Sequence, residues 1–242
     1  MKPAGKLIAI LMTIAAMSAA MYGQDASKSD SDEVKRVQAS AKVLNEIMAT
    51  PDKGIPQDVF GSAKCVAVVP SMIKGGFIVG GRYGRGVATC RSPKGWSAPA
   101  PFTIAGGSWG LQFGGEAVDL VMLVMNQQGM DNLLSSKFKL GAEGSVAAGP
   151  IGRQAEGSTD WKMKSQVLTY SRARGVFAGI ELNGAVIKQD NDETRVLYGG
   201  KMVPFAAILS GKVAAPAGTE AFMAAVRKYS LESREQKAEK GE

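Results

Sequence analysis

The chain has 242 residues, of which 45% are hydrophobic, 21% are charged and 30 are glycines. The first two values are close to globular averages, which excludes a wholly disordered chain and a collagen, whereas glycine exceeds its usual share of about 7%. The sequence contains no histidine. Catalysis by a Ser-His-Asp triad, cysteine-histidine catalysis and every metal site that uses histidine are therefore excluded.

The first twenty residues have the features of a secretory signal peptide. Lys2 and Lys6 supply positive charge, residues 7–16 are apolar, and small residues occupy 18–20. A membrane-spanning helix needs about 20 apolar residues, so this run is too short to be an anchor. We expect residues 1–20 to be removed and residues 21–31 to form a flexible leader. The product is expected to be periplasmic or extracellular, either free or at the surface of a membrane. Removal of the two lysines lowers the net charge from +7 to +5.

A helix is predicted immediately after the leader. Apolar residues recur at spacings of three and four from Val34 to Met48, and Asp30 or Ser31 is placed to cap the first turn. The polar face mixes acidic and basic residues, so we expect the helix to pack on the protein's own core rather than on a membrane. A second, short helix is expected to begin at Pro56.

From Lys64 onward the sequence has short apolar runs separated by pairs of glycines. Strands are expected over 65–69, 77–79, 87–90 and 102–104. Glycine pairs in such a region indicate bulges, tight bends and close backbone approach, which a strongly curved sheet or a small barrel requires. The most apolar run, over 118–125, is predicted to be a central strand.

The second half of the chain is expected to add strands and then helices. Asn183-Gly184 lies between two apolar runs, which predicts a β-hairpin, and residues 189–194 are interpreted as a polar turn. The other expected elements are a turn and a short helix over 126–134, strands over 138–147 and 166–170, and helices over 203–209 and 220–231.

Together these elements predict a single α+β domain over residues 32–232, followed by a charged tail over 233–242. The sheet is expected to be curved, mainly antiparallel and rich in glycine, or to close into a barrel. The N- and C-terminal helices are expected to flank it.

The two cysteines, Cys65 and Cys90, allow two interpretations. An oxidising compartment would permit a disulfide, worth roughly 3 kcal/mol for a loop of this length in the chain-entropy model. Two buried free thiols, which behave as small apolar groups, are the other interpretation.

Catalytic motifs are weak in this sequence. Ser71 and Lys74 match the S-x-x-K pattern of penicillin-binding enzymes, but the S-D-N and K-T-G elements that this chemistry also needs are absent. Asp119 lies in an apolar run, where a paired structural carboxylate is favoured over a catalytic acid. We therefore predict no enzymatic activity, no catalytic residue, no cofactor and no metal site.

Basic residues form the strongest candidate site. Lysines and arginines in pairs with one intervening residue point to the same side of a strand, and clustered cations suit a phosphate group. The candidate residues, which either converge on one anionic-ligand patch or are ordinary surface charge, are Lys137, Lys139, Arg153, Arg172, Arg174, Arg82 and Arg85. The sequence has no long basic block of the kind that indicates nucleic-acid binding.

Several longer motifs share the order found in a known family. The segments are AKCVAVVP (63–70), GWSAP (95–99), GGEAVDLV (114–121), GSVAAGPIGR (144–153), YSRARGVFAG (170–179), Tyr198-Gly199 and LSG (209–211). In these motifs the chain resembles the SYLF domain family over residues 34–216.

The resemblance implies a non-enzymatic module that binds phospholipids, notably phosphoinositides, through basic residues. Some eukaryotic members also bind actin, a partner that the predicted signal peptide argues against here. We therefore predict that the protein binds anionic phospholipid headgroups or a membrane surface through a basic patch. The alternative is a structural or scaffolding protein of the cell envelope whose lipid affinity is incidental.

Overall fold

The structure, a computed structural model, describes residues 31–50, 54–76, 79–109, 115–151, 165–173, 176–178 and 182–239. Residues 31–242 belong to one compact unit. The predicted signal peptide and nearly all of the predicted leader lie outside the described residues, so both stay predictions.

The described helices lie at both ends of the chain and between strands. They are α1 (Asp32–Met48), α2 (Gln57–Ser62), α3 (Gln127–Leu134), α4 (Asn191–Leu197), α5 (Phe205–Leu209) and α6 (Glu220–Glu239). The Ser31 hydroxyl caps α1 by accepting a hydrogen bond from the Val34 N–H at 3.4 Å, as the sequence predicts.

Ten strands are described. They are β1 (Cys65–Gly76), β2 (Val79–Ser92), β3 (Gly95–Trp96), β4 (Ala100–Trp109), β5 (Gly115–Val124), β6 (Lys137–Lys139), β7 (Val146–Ala148), β8 (Val167–Ala173), β9 (Val176–Ala178) and β10 (Val186–Gln189). Their order is β6-β10-β4-β2-β1-β5-β8-β7, with β3 paired to β2 and β9 to β8. Only the β7–β8 pair is parallel among these. The predicted α+β fold with a curved, mainly antiparallel sheet is confirmed.

Both sides of the curled sheet carry a hydrophobic core. On one side, α3 and α5 pack against residues such as Met72, Phe102 and Leu120. On the other side, which we call the outer face, α1, α2 and α6 pack against residues such as Val68 and Leu123. Helix α1 therefore docks on the protein's own core, as its mixed polar face predicts.

The strands are longer than the sequence indicates, because they continue through the glycine pairs. Strand β1 also passes Pro70, which we expected to end it. The register of β1 against β5 shifts between Val69 and Met72, and such an irregularity tolerates a proline that has no N–H to donate. Ser71 adopts a positive φ of 55° there.

Three predictions for the second half differ from the structure. Strands β9 and β10 do not form a hairpin around Asn183-Gly184, since β9 pairs with β8 whereas β10 pairs with β4 and β6. The expected polar turn over 189–194 contains the start of α4, whose N-cap Asp190 accepts a hydrogen bond from the Glu193 N–H at 3.0 Å. The predicted strand over 138–147 is also divided, between β6 and β7.

The C-terminal helix extends further than expected. Helix α6 continues to Glu239, so residues 233–239 of the predicted tail are helical. Ser233 is fully buried, and its hydroxyl donates a hydrogen bond to the Gln57 carbonyl at 2.7 Å. This contact joins the start of the predicted tail to α2.

Candidate functional site

The described basic candidates do not lie on one surface. Lys137 and Lys139 are exposed on β6. Arg82 and Arg85 of β2 are three residues apart and so point to opposite sides of the sheet. Arg172 lies on β8, whereas Arg153 and Arg174 fall outside the described residues. Their part in binding stays a prediction, but the structure separates three groups with different surroundings.

Arg172 belongs to an ion-pair network that holds α1 on the sheet. Its guanidinium contacts the Glu46 carboxylate and lies 2.9 Å from Asp119 Oδ2. Asp119 Oδ1 also accepts a hydrogen bond from the Ser71 N–H at 3.1 Å, which supports the irregular part of β1. The hydrogen bond to Glu46 raises the pKa of Arg172, and the bond to Asp119 adds to this effect. Asp119 is therefore a paired structural carboxylate, the interpretation that the sequence favours.

Arg85 belongs to a second network on the outer face. Glu193 Oε1 lies 2.8 Å from Arg36 Nε and 3.3 Å from Arg85 Nη1. Arg85 Nε lies 3.4 Å from Asp190 Oδ2 and donates to the Tyr83 hydroxyl at 3.1 Å. Burial raises the pKa of Glu193, although Arg36 acts in the opposite direction. The network joins α1, α4 and β2.

Arg82 lies on the opposite side of the sheet from the lysines of β6. It is directly opposite Lys74 in the register of β1 and β2, and Lys74 is opposite Glu116 of β5. Arg82 Nη2 donates a hydrogen bond to the Gly107 carbonyl at 3.1 Å. Burial lowers the pKa of Lys74, and Glu116 opposes that effect.

A third lysine joins the two on β6. Strand β10 pairs with β6 so that Lys188 is directly opposite Lys137, and Val186 is opposite Lys139. All three lysines are exposed. Within the described residues none of their ammonium groups has a carboxylate within 4.0 Å, although the main-chain N–H of Lys139 donates to Glu143 Oε2 at 2.8 Å. We call Lys137, Lys139 and Lys188 the lysine edge.

A row of small and apolar side chains crosses the sheet beside the lysine edge. Directly opposed residues share one side of a sheet, and the pairing gives the order Ala117, Ile73, Tyr83, Ala105, Val186 and then Lys139. Ile73 is 61% exposed and Tyr83 is 47% exposed, so no described element covers them. We call Ala117, Ile73, Tyr83, Ala105 and Val186 the apolar row.

A row of glycines runs beside the apolar row, two residues away from it along each strand. The strand register aligns Gly115, Gly75, Gly81 and Gly107 across four strands. A Cβ atom at Gly75 would have nothing within 4 Å, and those at the other three would meet only backbone oxygen at 3.9–4.0 Å. Within the described residues, this end of the outer face therefore presents uncovered backbone beside exposed apolar side chains.

Cys65 and Cys90 are directly opposed in β1 and β2, and their sulfur atoms are bonded at 2.07 Å. Both residues are fully buried in the core. The disulfide ties the two central strands together at the end of the sheet away from the apolar row.

The described residues offer little for catalysis or metal binding. Ser71 and Lys74 lie in β1 rather than at the start of a helix. No group of three or more acidic or cysteine side chains in the described part of the chain is placed to hold a metal ion. Among the described helices, none is long and apolar enough to cross a membrane.

The fold and this surface define a small α+β domain with an open, basic-edged sheet face. A family model described as "Ysc84: Las17-binding protein actin regulator" matches residues 105–229. The chain belongs to this family, also called SYLF, which confirms the resemblance.

Two kinds of named relative show the extent of the similarity. The chain is 37% identical over 188 residues to "SH3 domain-containing YSC84-like protein 1" of Rattus norvegicus, covering 75% of this chain and 55% of the relative. It is 33% identical over 193 residues to "LAS seventeen-binding protein 3" of Saccharomyces cerevisiae, covering 78% of this chain and 41% of the relative. The chain thus spans about half the length of the curated relatives it matches.

Proposed function

We propose that the protein binds anionic phospholipid membranes through the open end of its outer face. The lysine edge contacts lipid phosphates, and the exposed side chains of the apolar row enter the interface beside them. The observation that carries this proposal is that Lys139 continues the same row of opposed residues as Tyr83 and Val186. Charge and apolar surface therefore lie on the same side of the sheet.

The expected free energies of membrane binding indicate that the lysine edge and the apolar row both contribute. A lysine near an anionic leaflet contributes about 1 kcal/mol, so the lysine edge contributes roughly 3 kcal/mol. Charge alone at this level gives only weak attachment. Burial of Ile73 and Tyr83 adds apolar stabilisation of roughly 25 cal/mol per Å² removed from water. Peripheral proteins commonly combine these two contributions.

We infer a binding role without catalysis. The family description names binding and actin regulation, which supports a binding module. Preference for phosphoinositide-type headgroups is implied by the family. The Las17-binding and actin-regulating names belong to the relatives, and we do not propose actin as a partner because we also propose export.

Two features support export. The N-terminal sequence has the order of a signal peptide. Disulfides such as that of Cys65 and Cys90 persist mainly in oxidising compartments. In the periplasm or outside the cell, anionic lipids other than phosphoinositides are the expected natural ligands.

Vesicle co-sedimentation of surface variants tests this proposal. Replacing all three residues of the lysine edge by glutamine should reduce binding to vesicles containing phosphatidylserine by about a hundredfold, since roughly 3 kcal/mol of attraction is lost. Ile73→Ser combined with Tyr83→Ser should also reduce binding and leave its salt dependence unchanged.

The matched control replaces Lys42, Lys64 and Lys212 by glutamine. These lysines are also exposed, and the net charge changes by the same amount. Equal weakening by both triple variants would reduce the interaction to diffuse charge and contradict the proposed face. Silent lysine-edge changes, with protein partners recovered instead, would favour the envelope scaffold.

A further inference from the structure

A second cationic feature lies at the other end of the sheet. The end of β2, the turn into β3 and the side of α6 enclose a cleft of about 270 Å³. Tyr83 and its apolar row are eight residues before Arg91 on β2, or roughly 26 Å along an extended strand. The cleft is therefore separate from the lysine edge.

Three cations from three elements line this cleft, namely Arg91, Lys94 and Arg227, and no carboxylate is among its lining residues in the described part of the chain. Lys94 and Arg227 have no carboxylate within 4.0 Å among the described residues, whereas Arg85 and Arg172 each contact two. Helix α6 offers Arg227 no acidic partner, because positions three and four away hold Met223, Ala224, Ser230 and Leu231. Converging like charges repel one another, and a bound anion relieves that repulsion.

One of the cations is held in place. Arg91 donates hydrogen bonds from Nε to the Ala63 carbonyl at 2.8 Å and from Nη2 to the Gly61 carbonyl at 2.9 Å. Its guanidinium carbon lies 4.5 Å from the centroid of the Trp96 ring. The positive charge and the aromatic wall of the cleft are thus fixed before a ligand arrives.

The remaining lining limits the chemistry of the ligand. Trp96 and Leu231, which is 56% exposed, supply apolar surface, and Ser230 adds a hydroxyl group. Arginine and lysine together are typical phosphate ligands. The volume is slightly below the 300 Å³ at which drug-sized pockets begin, so it suits a small molecule.

We infer that this cleft is a binding site for a small phosphomonoester, with Lys94 and Arg227 on the phosphate and Trp96 and Leu231 against the carbon skeleton. The phosphomonoester is either a soluble metabolite or the headgroup of a lipid such as phosphatidic acid. This inference does not depend on the proposed membrane-binding face.

The test follows the indole N–H resonance of Trp96 by NMR while sn-glycerol 3-phosphate is added to the protein, with Trp96→Phe used to assign the signal. We expect a saturable shift, and no shift with glycerol. The variant Lys94→Gln/Arg227→Gln should weaken binding by about tenfold for each cation lost, because each makes a charge-assisted contact. Both side chains are exposed, so the variant should fold.

Lys64→Gln/Lys212→Gln is the control with the same change in net charge, and it should bind sn-glycerol 3-phosphate as the unchanged protein does. Absence of a saturable shift, or equal weakening by the two double variants, would overturn the site. Vesicles that contain phosphatidic acid distinguish the two sources of the ligand. If the vesicles perturb the Trp96 resonance, the cleft accepts a lipid headgroup. If only sn-glycerol 3-phosphate perturbs it, the ligand is a soluble metabolite. The soluble probe needs no membrane, so failure of the cleft and failure of membrane binding are separate results.

Discussion

At the scale of single residues, Glu193 is a buried carboxylate that contacts two arginines. Its side chain is only 4% exposed, between Arg36 and Arg85 and near Asp190. Burial raises its pKa above the ordinary value of 4.5 despite the two arginines. A carboxyl group with a raised folded-state pKa contributes stability that is present below pH 4.5 and is lost as the pH rises through that raised value.

Glu193→Gln removes this titration. The free energy of unfolding of the unchanged protein minus that of the variant should therefore fall between pH 4.5 and neutrality. Urea unfolding of both proteins across this range measures the difference. A difference that rises with pH would mean that the ion pairs to Arg36 and Arg85 outweigh burial.

The candidate site could be predicted only in part from single residues. Lys137 and Lys139 were visible because alternation in a strand is a local property. Lys188 was missed because its place opposite Lys137 depends on the pairing of β6 with β10, which lie far apart in the sequence. The ion pairs of Arg172 with Glu46 and Asp119 could not be predicted either, because no sequence spacing relates these residues to Arg172.

At the scale of elements, the disulfide acts on the pairing of β1 with β2. The two cysteines are 25 residues apart, and closing a loop of this length is worth roughly 3 kcal/mol in the chain-entropy model. Protein refolded under reducing conditions should therefore unfold in urea with a free energy lower by about that amount. Vesicle binding of the folded reduced protein should be retained, because the cysteines are remote from the apolar row.

The Cys65→Ala/Cys90→Ala variant is the control for this comparison. Its unfolding midpoint should not respond to reductant, which separates loss of the bond from any other effect of the reagent. Equal stability of the oxidised and reduced unchanged protein would contradict the stabilising role of the disulfide.

The elements also show which local patterns were informative. The helices α1, α3 and α6 have clear spacing or caps, and the sequence located them well. Helix α4 carries a visible start pattern, Asp190 followed three residues later by Glu193, which resembles a capping box and was interpreted as a turn. The strands were cut at glycines because local propensity does not show that Gly75, Gly81 and Gly107 align across the sheet.

At the scale of the whole molecule, helices cover one end of the outer face, and no described helix covers the other end. The covered end is fastened by the networks around Arg172 and Glu193, and the open end carries the apolar row and the lysine edge. Composition predicted the curved glycine-rich sheet, but the helix positions that leave it uncovered follow from tertiary packing. The proposed membrane contact is a property of this arrangement rather than of any motif.

Vesicle co-sedimentation of the unchanged protein, across headgroups and salt, tests the central claim most directly. We predict binding to anionic vesicles that persists at about 150 mM salt, where charges are screened beyond about 8 Å, and that differs between headgroups at equal vesicle charge. Both results require short-range contacts with phosphates. Binding seen only at low salt, or no binding at all, would contradict headgroup recognition and leave the envelope scaffold as the better account.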